Sequence, residues 1–369
     1  MKLKLKEIGE VITGCTPKTK VEQYYNKKDY MFIGPSDIKN TKYVTKSEKY
    51  ISNDAYLDYK NRFISKDSIM IDCIGSDMGN VAITKESVLT NQQINSLTNI
   101  HVENYNVEYI YYILSTMKHF FHHIGTNGST MPIINKTMFE NIEIEVVNKE
   151  KQDKISKILS DIDKKIDTNN QINDNLFNLA AAIYNNRFQY INQGECCVGD
   201  YIVPKRGKNL LSRDAVFGDV PVVAGGIEPA TYHNVSNTKA PVITISASGA
   251  NAGYINLWNK PVWSSDSSYI DNSITENVYF WFVTLKTRQR EIFDAQTGSA
   301  QPHIYPQHIA ELRTNKIDIK DIIEYENEVT PFFKNIGKNK EENKYLEQLR
   351  DTLLPKLMNG EIDLDKIEI

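Results

Sequence analysis

Two long segments of the chain repeat hydrophobic residues with the spacing of a coiled coil. In the first segment, position a of the heptad recurs every seven residues from Ile155 to Ile183, and Ile158, Ile172 and Leu179 occupy position d. Adding 174 to these positions gives a second series, from Val329 to Leu357. Apolar residues at a and d over more than three heptads indicate long helices that pack along one seam. The pattern therefore predicts two such helices.

The segments that precede these helices also resemble each other. The sequence from Gly75 to Gly79 has a counterpart from Gly249 to Gly253, again 174 residues later, and each follows an apolar, strand-like run. The Gly128-Ser129 pair recurs as Gly298-Ser299, at an offset of 170. Short strands with glycine-rich turns indicate an α/β domain, and self-similarity over this length indicates a tandem repeat.

We therefore predict an α/β (α+β) fold with two tandem domains and two long helices that form an antiparallel coiled coil. Equal repeats related by a pseudo-twofold axis make the helices antiparallel, with the α/β domains at opposite ends of a rod. The predicted segments are a first α/β domain, a central helix, a second α/β domain and a C-terminal helix: 1–148, 149–192, 193–321 and 322–369.

Both helices carry an asparagine at the same a position, in addition to the polar misfits at a and d, which are Lys165, Asn186, Asn339 and Arg350. Asn169 and Asn343 both occupy position a and are separated by the repeat length. A buried asparagine in such a seam lowers stability but fixes register and partner. The alternative is a helix surface that tolerates asparagine in an asparagine-rich chain. We predict that the two residues set the register.

Composition places the chain among ordinary globular proteins. Its 369 residues are 40% hydrophobic and 24% charged, enough for two domains with their own cores. No apolar run approaches the roughly 18 residues that span a membrane, and the segment Met1–Lys6 has no apolar core of a signal peptide. The four cysteines lack metal-ligand spacing. We expect a cytoplasmic protein with reduced thiols, no membrane association and no metal site.

The net charge of −4 does not decide whether the chain binds nucleic acid. Residues 322–369 alone carry 7 basic and 11 acidic side chains, which accounts for the whole acidic excess. Affinity for DNA depends on a local basic face and not on the total charge.

The order of these elements resembles the specificity subunit of type I restriction–modification systems. The segment Leu349–Ile362, with its Gly-Glu-Ile end, is similar to that family's final helix, and Leu5–Gly9 is similar to the start of its first recognition domain. Thr297–Pro302 and Thr126–Ser129 are also similar to family segments. The first domain departs from the pattern because Asn127 is inserted and Met131 stands where the second domain has a glutamine.

The resemblance implies that the chain is not an enzyme. It implies a subunit that reads a bipartite, gapped site in double-stranded DNA and bridges two modification (methyltransferase) subunits, to which restriction subunits are added. S-adenosylmethionine, ATP and Mg²⁺ are then expected in the partner subunits and no cofactor in this chain. Independently, the sequence contains no Pro-Pro dipeptide of an amino-methyltransferase motif and no G-x-x-x-x-G-K-[ST] phosphate loop.

The glycine loops and their polar neighbours are the candidate DNA contacts. Glycines let the backbone approach a phosphate or a base edge closely, and Asn, Gln and Ser bond base edges in the major groove. A plain structural hairpin or a solvated turn remains the alternative for each residue. The candidates are Lys18, Lys20, Ser76, Asp77, Asn80, Gln92, Gln93, Asn127, Ser129, Lys205, Arg206, Lys208, Ser248, Asn251, Ser265, Ser267, Ser299 and Gln301.

Two other classes of protein remain open at this point. The chain is alternatively the specificity part of a fused nuclease–methyltransferase, against which the missing catalytic motifs count. It is alternatively a coiled-coil scaffold whose α/β domains bind protein or carbohydrate. DNA binding that weakens with salt separates the last alternative from a specificity subunit.

Overall fold

The structure, a computed structural model, describes residues 1–39, 41–126, 132–189, 191–298 and 301–364. The chain divides into two compact units, one made of residues 1–164 and the chain from residue 347 onward, the other of residues 165–346. Each unit contains one α/β domain and parts of both long helices. None of the helices in the described ranges is long and apolar enough to cross a membrane.

The first α/β domain is built on two sheets and a small two-stranded ladder. The sheet orders are β2-β10-β7-β8-β4, β5-β3-β9-β6 and β1-β11. The strands are β1 Lys2–Lys4, β2 Glu10–Thr13, β3 Tyr30–Ile33, β4 Tyr43–Val44, β5 Lys49–Ile51, β6 Phe63–Ile64, β7 Ile69–Asp72, β8 Val81–Thr84, β9 Val88–Thr90, β10 Ile94–Thr98 and β11 Glu143–Glu145. The helices are α1 Leu5–Ile8, α2 Pro35–Ile38, α3 Asn53–Tyr59, α4 Val107–Ser115, α5 Lys118–Gly125, α6 Lys136–Glu140 and α7 Lys149–Arg187.

The second domain repeats this plan with fewer strands. Its sheet orders are β13-β19-β16-β17, β15-β14-β18 and β12-β20. The strands are β12 Cys196–Cys197, β13 Lys205–Arg206, β14 Val220–Val223, β15 Thr231–His233, β16 Val242–Ser246, β17 Ile255–Trp258, β18 Trp263–Ser264, β19 Ser267–Asp271 and β20 Arg313–Thr314. The helices are α8 Val278–Thr287, α9 Gln289–Asp294, α10 Pro306–Ala310 and α11 Ile319–Met358.

Strand pairing confirms the internal repeat. The antiparallel set β2-β10-β7-β8 corresponds to β13-β19-β16-β17, and the parallel pair β3-β9 corresponds to the parallel pair β14-β18. In each domain a two-stranded ladder joins the first strand to the last, β1 to β11 and β12 to β20. The prediction of two tandem α/β domains is therefore confirmed.

The two long helices run antiparallel, as the sequence predicts. Within the second unit Asn169 bonds to Asn343, and Asn173 bonds to Asn339, so that one number rises as the other falls. Helix α7 begins at the predicted residue, where the Asn148 side chain accepts the Lys151 N–H. Helix α11 begins at Ile319 rather than at residue 322.

The assignment of position d in the seam is wrong. Ile172 and Leu179 are 42% and 48% exposed. The buried residues lie one position later, at Leu159, Ile166, Asn173 and Ala180. Positions three and four residues after a are both apolar in many helices, so the sequence alone did not separate them. The buried stripe lies on the side that also packs against the α/β domains.

Each α/β domain shares its hydrophobic core with the long helices. In the first unit, Ile155 of α7 and Leu357 of α11 belong to the same buried cluster as the sheet residues Ile71 and Leu97. In the second unit, Tyr184 and Val329 join the cluster around α8, whose residues from Val278 to Leu285 are all buried. Burial of apolar area on this scale is what holds each helix segment on its domain.

A polar residue on each long helix also binds the start of a domain helix. Gln152 of α7 accepts the N–H of Asn106, the residue that caps α4. Glu326 of α11, 174 residues later, accepts the N–H groups of Tyr279 and Phe280 in the first turn of α8 at 3.1 and 2.7 Å. Burial raises the pKa of Glu326 to about 7, although both hydrogen bonds favour the carboxylate.

Candidate nucleic-acid interface

In the first unit, the start of the glycine loop after β7 contacts Pro132-Ile133, the segment that follows Gly128-Ser129 in the sequence. Ile74 forms an isolated bridge with Ile133, and the Gly75 N–H donates to the Pro132 carbonyl at 3.0 Å. Gly75 has a φ of +108°, a conformation that residues with a Cβ rarely adopt. The glycine therefore allows the turn that brings the two segments together.

The second unit contains the same arrangement at the repeat positions. Ser248 bridges His303, the Gly249 N–H donates to the Pro302 carbonyl at 3.1 Å, and Gly249 has a φ of +82°. In each unit the glycine loop therefore contacts the proline and the residue after it, Pro132-Ile133 in the first unit and Pro302-His303 in the second. The sequence offered no signal for this contact.

Further backbone hydrogen bonds align the surrounding loops residue by residue. The Cys73 N–H donates to the Gln93 carbonyl, just as the Ala247 N–H donates to the Asp266 carbonyl. The residue after β2 and the residue after β13 are held in the same way. The Gly14 N–H donates to the Ile94 carbonyl, and the Gly207 N–H donates to the Ser267 carbonyl. These bonds make Gln93 equivalent to Asp266, and Thr13, before Gly14, equivalent to Arg206, before Gly207.

In the first glycine loop, the exposed Asp77 is held between two lysines. Its carboxylate lies 2.8 Å from the Lys118 Nζ and 2.6 Å from the Lys39 Nζ, and the hydrogen bonds from these ammonium groups lower the pKa of Asp77 to about 2. Lys118 also donates to the Asn80 Oδ1. Ser76 is exposed beside this group. Most polar groups here are engaged with one another, which fixes their directions.

The predicted glutamines lie on the segment between β9 and β10. Gln92 is exposed, and its Oε1 accepts the Thr16 hydroxyl at 2.6 Å. Gln93 is half-buried, and its Oε1 accepts the Asn91 side-chain amide at 3.1 Å. Gln93 also lies next to the glycine loop through the bond from Cys73.

In the second unit, three side chains form a connected polar group. Arg206 Nη2 donates to Asp266 Oδ1 at 2.6 Å, and the Ser248 hydroxyl donates to the other oxygen of Asp266. The side chains of Arg206 and Asp266 are 43% and 34% exposed. The group joins the end of β13, the corner between β18 and β19, and the glycine loop.

Two predicted contacts in the second unit are buried. The Ser265 hydroxyl accepts the Leu210 N–H at 3.0 Å, and the Ser267 hydroxyl bonds to Ser264 and to the Val223 carbonyl. Their exposed fractions are 3% and 0%. These hydroxyls satisfy buried backbone and side-chain groups of the sheet, so we leave them out of the proposed interface. The one charged member of this serine run, Asp266, faces outward instead.

The remaining candidates are mostly exposed. Among those that the structure describes, Asn251 is half-buried and the other side chains of this group are exposed: Lys18, Lys20, Lys205, Lys208 and Gln301. Asn127, Ser129 and Ser299 lie outside the described residues.

Sequence reasoning missed Asp266 and the lysines that flank Asp77. Asp266 had a recognisable signal, as the single charged residue in a run of serines. Lys39 and Lys118 had no such signal, because Lys39 follows α2 and Lys118 begins α5, about 40 residues before and after Asp77 in the sequence. Only the folded domain brings their ammonium groups to this loop.

The fold and these loops define a class of protein: two repeated α/β domains, each with a platform of converging polar loops, on a chain with two long antiparallel helices. Residues 1–178 match the family described as Type I restriction modification DNA specificity domain. The matched segment spans the first α/β domain and most of α7.

Relatives and a solved structure extend the similarity over the whole chain. The specificity subunit of the type I restriction enzyme MjaIX from Methanocaldococcus jannaschii is 26% identical, covering 99% of this chain and 94% of the relative. That of HindI from Haemophilus influenzae is 28% identical, covering 40% of this chain and 31% of the relative. The crystal structure of the type I S subunit from M. genitalium has a TM-score of 0.60 and 19% identity, covering 97% of this chain and 95% of that one. This structure shares the fold.

Proposed function

We propose that this chain is a non-catalytic subunit that reads a bipartite, gapped site in double-stranded DNA, one half-site with each unit. The observation that carries the proposal is the pair of matched loop platforms. The backbone bonds of the Gly75 and Gly249 loops are the same in both units, while the side chains on them differ.

The same backbone arrangement with different side chains allows one fold to recognise two different DNA half-sites. Backbone hydrogen bonds fix where each side chain starts, and side-chain chemistry determines which base edge it bonds. Thr13 and Gln93 in the first unit are replaced by Arg206 and Asp266 in the second. Side chains with such different donor and acceptor patterns favour different half-sites.

In this proposal, the chain also binds the modification and restriction subunits of the complex. The relatives are named as specificity subunits of restriction enzymes, and the family resemblance implies two modification subunits and added restriction subunits. The exposed Ile172 and Leu179 lie seven residues apart on α7, which places them on one face of the helix. We assign this face to contact with a methyltransferase subunit. S-adenosylmethionine, ATP and Mg²⁺ act in those partners.

The proposal is tested by DNA binding of the chain reconstituted with its methyltransferase subunits. Duplexes with randomised sequence are selected for binding at increasing salt, and the bound pool is sequenced. We expect two conserved sequence blocks separated by a gap, and an affinity that falls linearly on a log–log plot against salt. An absence of salt-sensitive DNA binding would support the scaffold alternative. Methyl transfer from S-adenosylmethionine by the pure chain alone would contradict the non-catalytic assignment.

A further inference from the structure

Arg206 is held by a carboxylate in a way that suits reading a base. It is the last residue of β13, and its backbone pairs with Ser268 of β19. The next residue, Gly207, donates its N–H to Ser267. The guanidinium therefore projects from a strand end whose position is fixed by the sheet, which holds a recognition group more accurately than a loop does.

Asp266 fixes the direction of the guanidinium. One carboxylate oxygen accepts Arg206 Nη2 at 2.6 Å, while the other accepts the hydroxyl of Ser248 from the glycine loop. The Asp266 backbone carbonyl also accepts the Ala247 N–H at 3.1 Å. Because the carboxylate is tied at both oxygens, the arginine loses less rotamer freedom when it meets a ligand.

The other donors of Arg206 remain available. A guanidinium has five N–H donors, and the bond to Asp266 uses one of them. Within the described part of the chain, the remaining four make no hydrogen bond. The side chain is 43% exposed. A planar pair of parallel donors at such a site matches the O6 and N7 acceptors of guanine.

Charge favours a base over a phosphate as the ligand. The Asp266 carboxylate beside the guanidinium cancels much of its field at a distance, so the pair attracts a phosphate less than an unpaired arginine would. The local hydrogen-bond geometry is unaffected by this cancellation. Lys205 and Lys208, the exposed cations nearby in sequence, bond to no carboxylate among the described residues and are better suited to phosphate.

We propose that Arg206 reads a guanine in the half-site of the second unit, with Asp266 as its positioning residue. This inference rests on the proposed function and deepens it. The equivalent places in the first unit hold Thr13, whose hydroxyl bonds Asn95, and Gln93, which bonds Asn91. The first unit therefore lacks this guanine contact, and the device belongs to one half-site only.

The test uses the full chain with its methyltransferase subunits and a duplex library randomised at both half-sites. The wild-type complex is expected to require G·C at one or more positions of the second half-site. Arg206→Ala is expected to reduce the preference for G at one of these positions by roughly 5- to 150-fold, with the first half-site unchanged. Lys205→Ala, the matched control on the same strand, is expected to weaken all sequences equally. Circular dichroism establishes that each variant is folded.

Asp266→Ala separates positioning from a structural role. It is expected to lower the discrimination for G while raising the affinity for random duplex DNA and steepening the salt dependence by about one unit, because it frees a cation. If Asp266 served only to maintain the fold, the variant would bind every DNA sequence more weakly.

The outcomes distinguish this inference from the proposed function. If wild-type binding is sequence-selective but Arg206→Ala weakens all sequences equally, Arg206 contacts the backbone and the inference is wrong while the proposed function stands. A second half-site without any required G·C position also overturns it. If the wild-type complex selects no sequence at all, the proposed function and the inference both fail.

Discussion

Asn169 Nδ2 donates to Asn343 Oδ1 at 2.8 Å, which joins equivalent positions of the two repeats across the helix seam. Asn343 in turn donates to Asn170 at 2.9 Å, and Asn169 also bonds Glu342. Both asparagines are at least nine-tenths buried, at 1% and 7% exposed. The Oδ1 of Asn169 has no hydrogen-bond partner in the described residues, so the pair lowers stability relative to an apolar seam and specifies which residues meet.

The first prediction concerns this pair. Asn169→Ala leaves the Asn343 oxygen buried without its donor, and we expect a loss of about 1–3 kcal/mol in the free energy of unfolding. Replacing both asparagines by leucine removes the buried polar groups and is expected to raise the melting temperature. Thermal denaturation measures both effects. The exposed Asn178→Ala on the same helix serves as the control, and equal melting of Asn169→Ala and the wild type would contradict the prediction.

The second prediction concerns the pH dependence of stability through Glu326. Its pKa is about 7 in the folded protein and 4.5 in the reference state, so protonation favours the folded form. Stability from this group is therefore full below about pH 4.5 and is lost as the pH rises through about 7. The shift corresponds to roughly 2–4 kcal/mol.

Glu326→Gln should remove this dependence, because a side-chain amide does not titrate, although its one oxygen can accept only one of the two N–H groups that Glu326 accepts. We expect the unfolding free energy of the variant minus that of the wild type to increase from pH 5 to pH 8. Denaturant titrations of both proteins at several pH values provide the measurement, and groups common to both cancel in the difference. A difference that stays constant with pH would refute the raised pKa.

The third prediction tests whether the two units read DNA independently. Residues 193–318, between the end of α7 and the start of α11, are exchanged for the same segment of another specificity subunit. The separate hydrophobic cores of the two units lead us to expect a change in one half of the target sequence only. Sequencing of methylated sites in cells that carry the hybrid and its methyltransferase subunits gives the answer. A change in both halves would exclude independent reading.

The fourth prediction concerns the exposed face of α7. Ile172→Lys with Leu179→Lys places two charges where the proposed methyltransferase contact lies, and burying them in an apolar interface is costly. We expect the affinity for the methyltransferase subunit to fall at least about tenfold, with an unchanged melting temperature. Isothermal titration calorimetry measures the affinity. Val102→Lys, at an exposed apolar residue of the first unit, is the control, and an equal affinity for all three proteins would rule out this face.

The sequence by itself determined the repeat, the long helices and their antiparallel pairing at Asn169 and Asn343. These features are set by spacing along the chain, since a heptad keeps the same residues on one helix face wherever the helix lies. Matched offsets also identified the two glycine loops. Glycine is recognisable in a sequence because the backbone conformations it permits are local.

Only the tertiary structure decided which side of each helix is buried and which polar residues face outward. Ile172 and Leu179 are exposed while Ala180 is buried, because the buried face of the helix is the one that packs against both α11 and the α/β domain. Within the serine run, Ser267 is fully buried because its hydroxyl bonds to Ser264 and to the Val223 carbonyl, whereas Asp266 is only half-buried. Arg206 donates a hydrogen bond to Asp266, which lies 60 residues later in the sequence. Such pairings depend on strand register and loop closure, which no local pattern specifies.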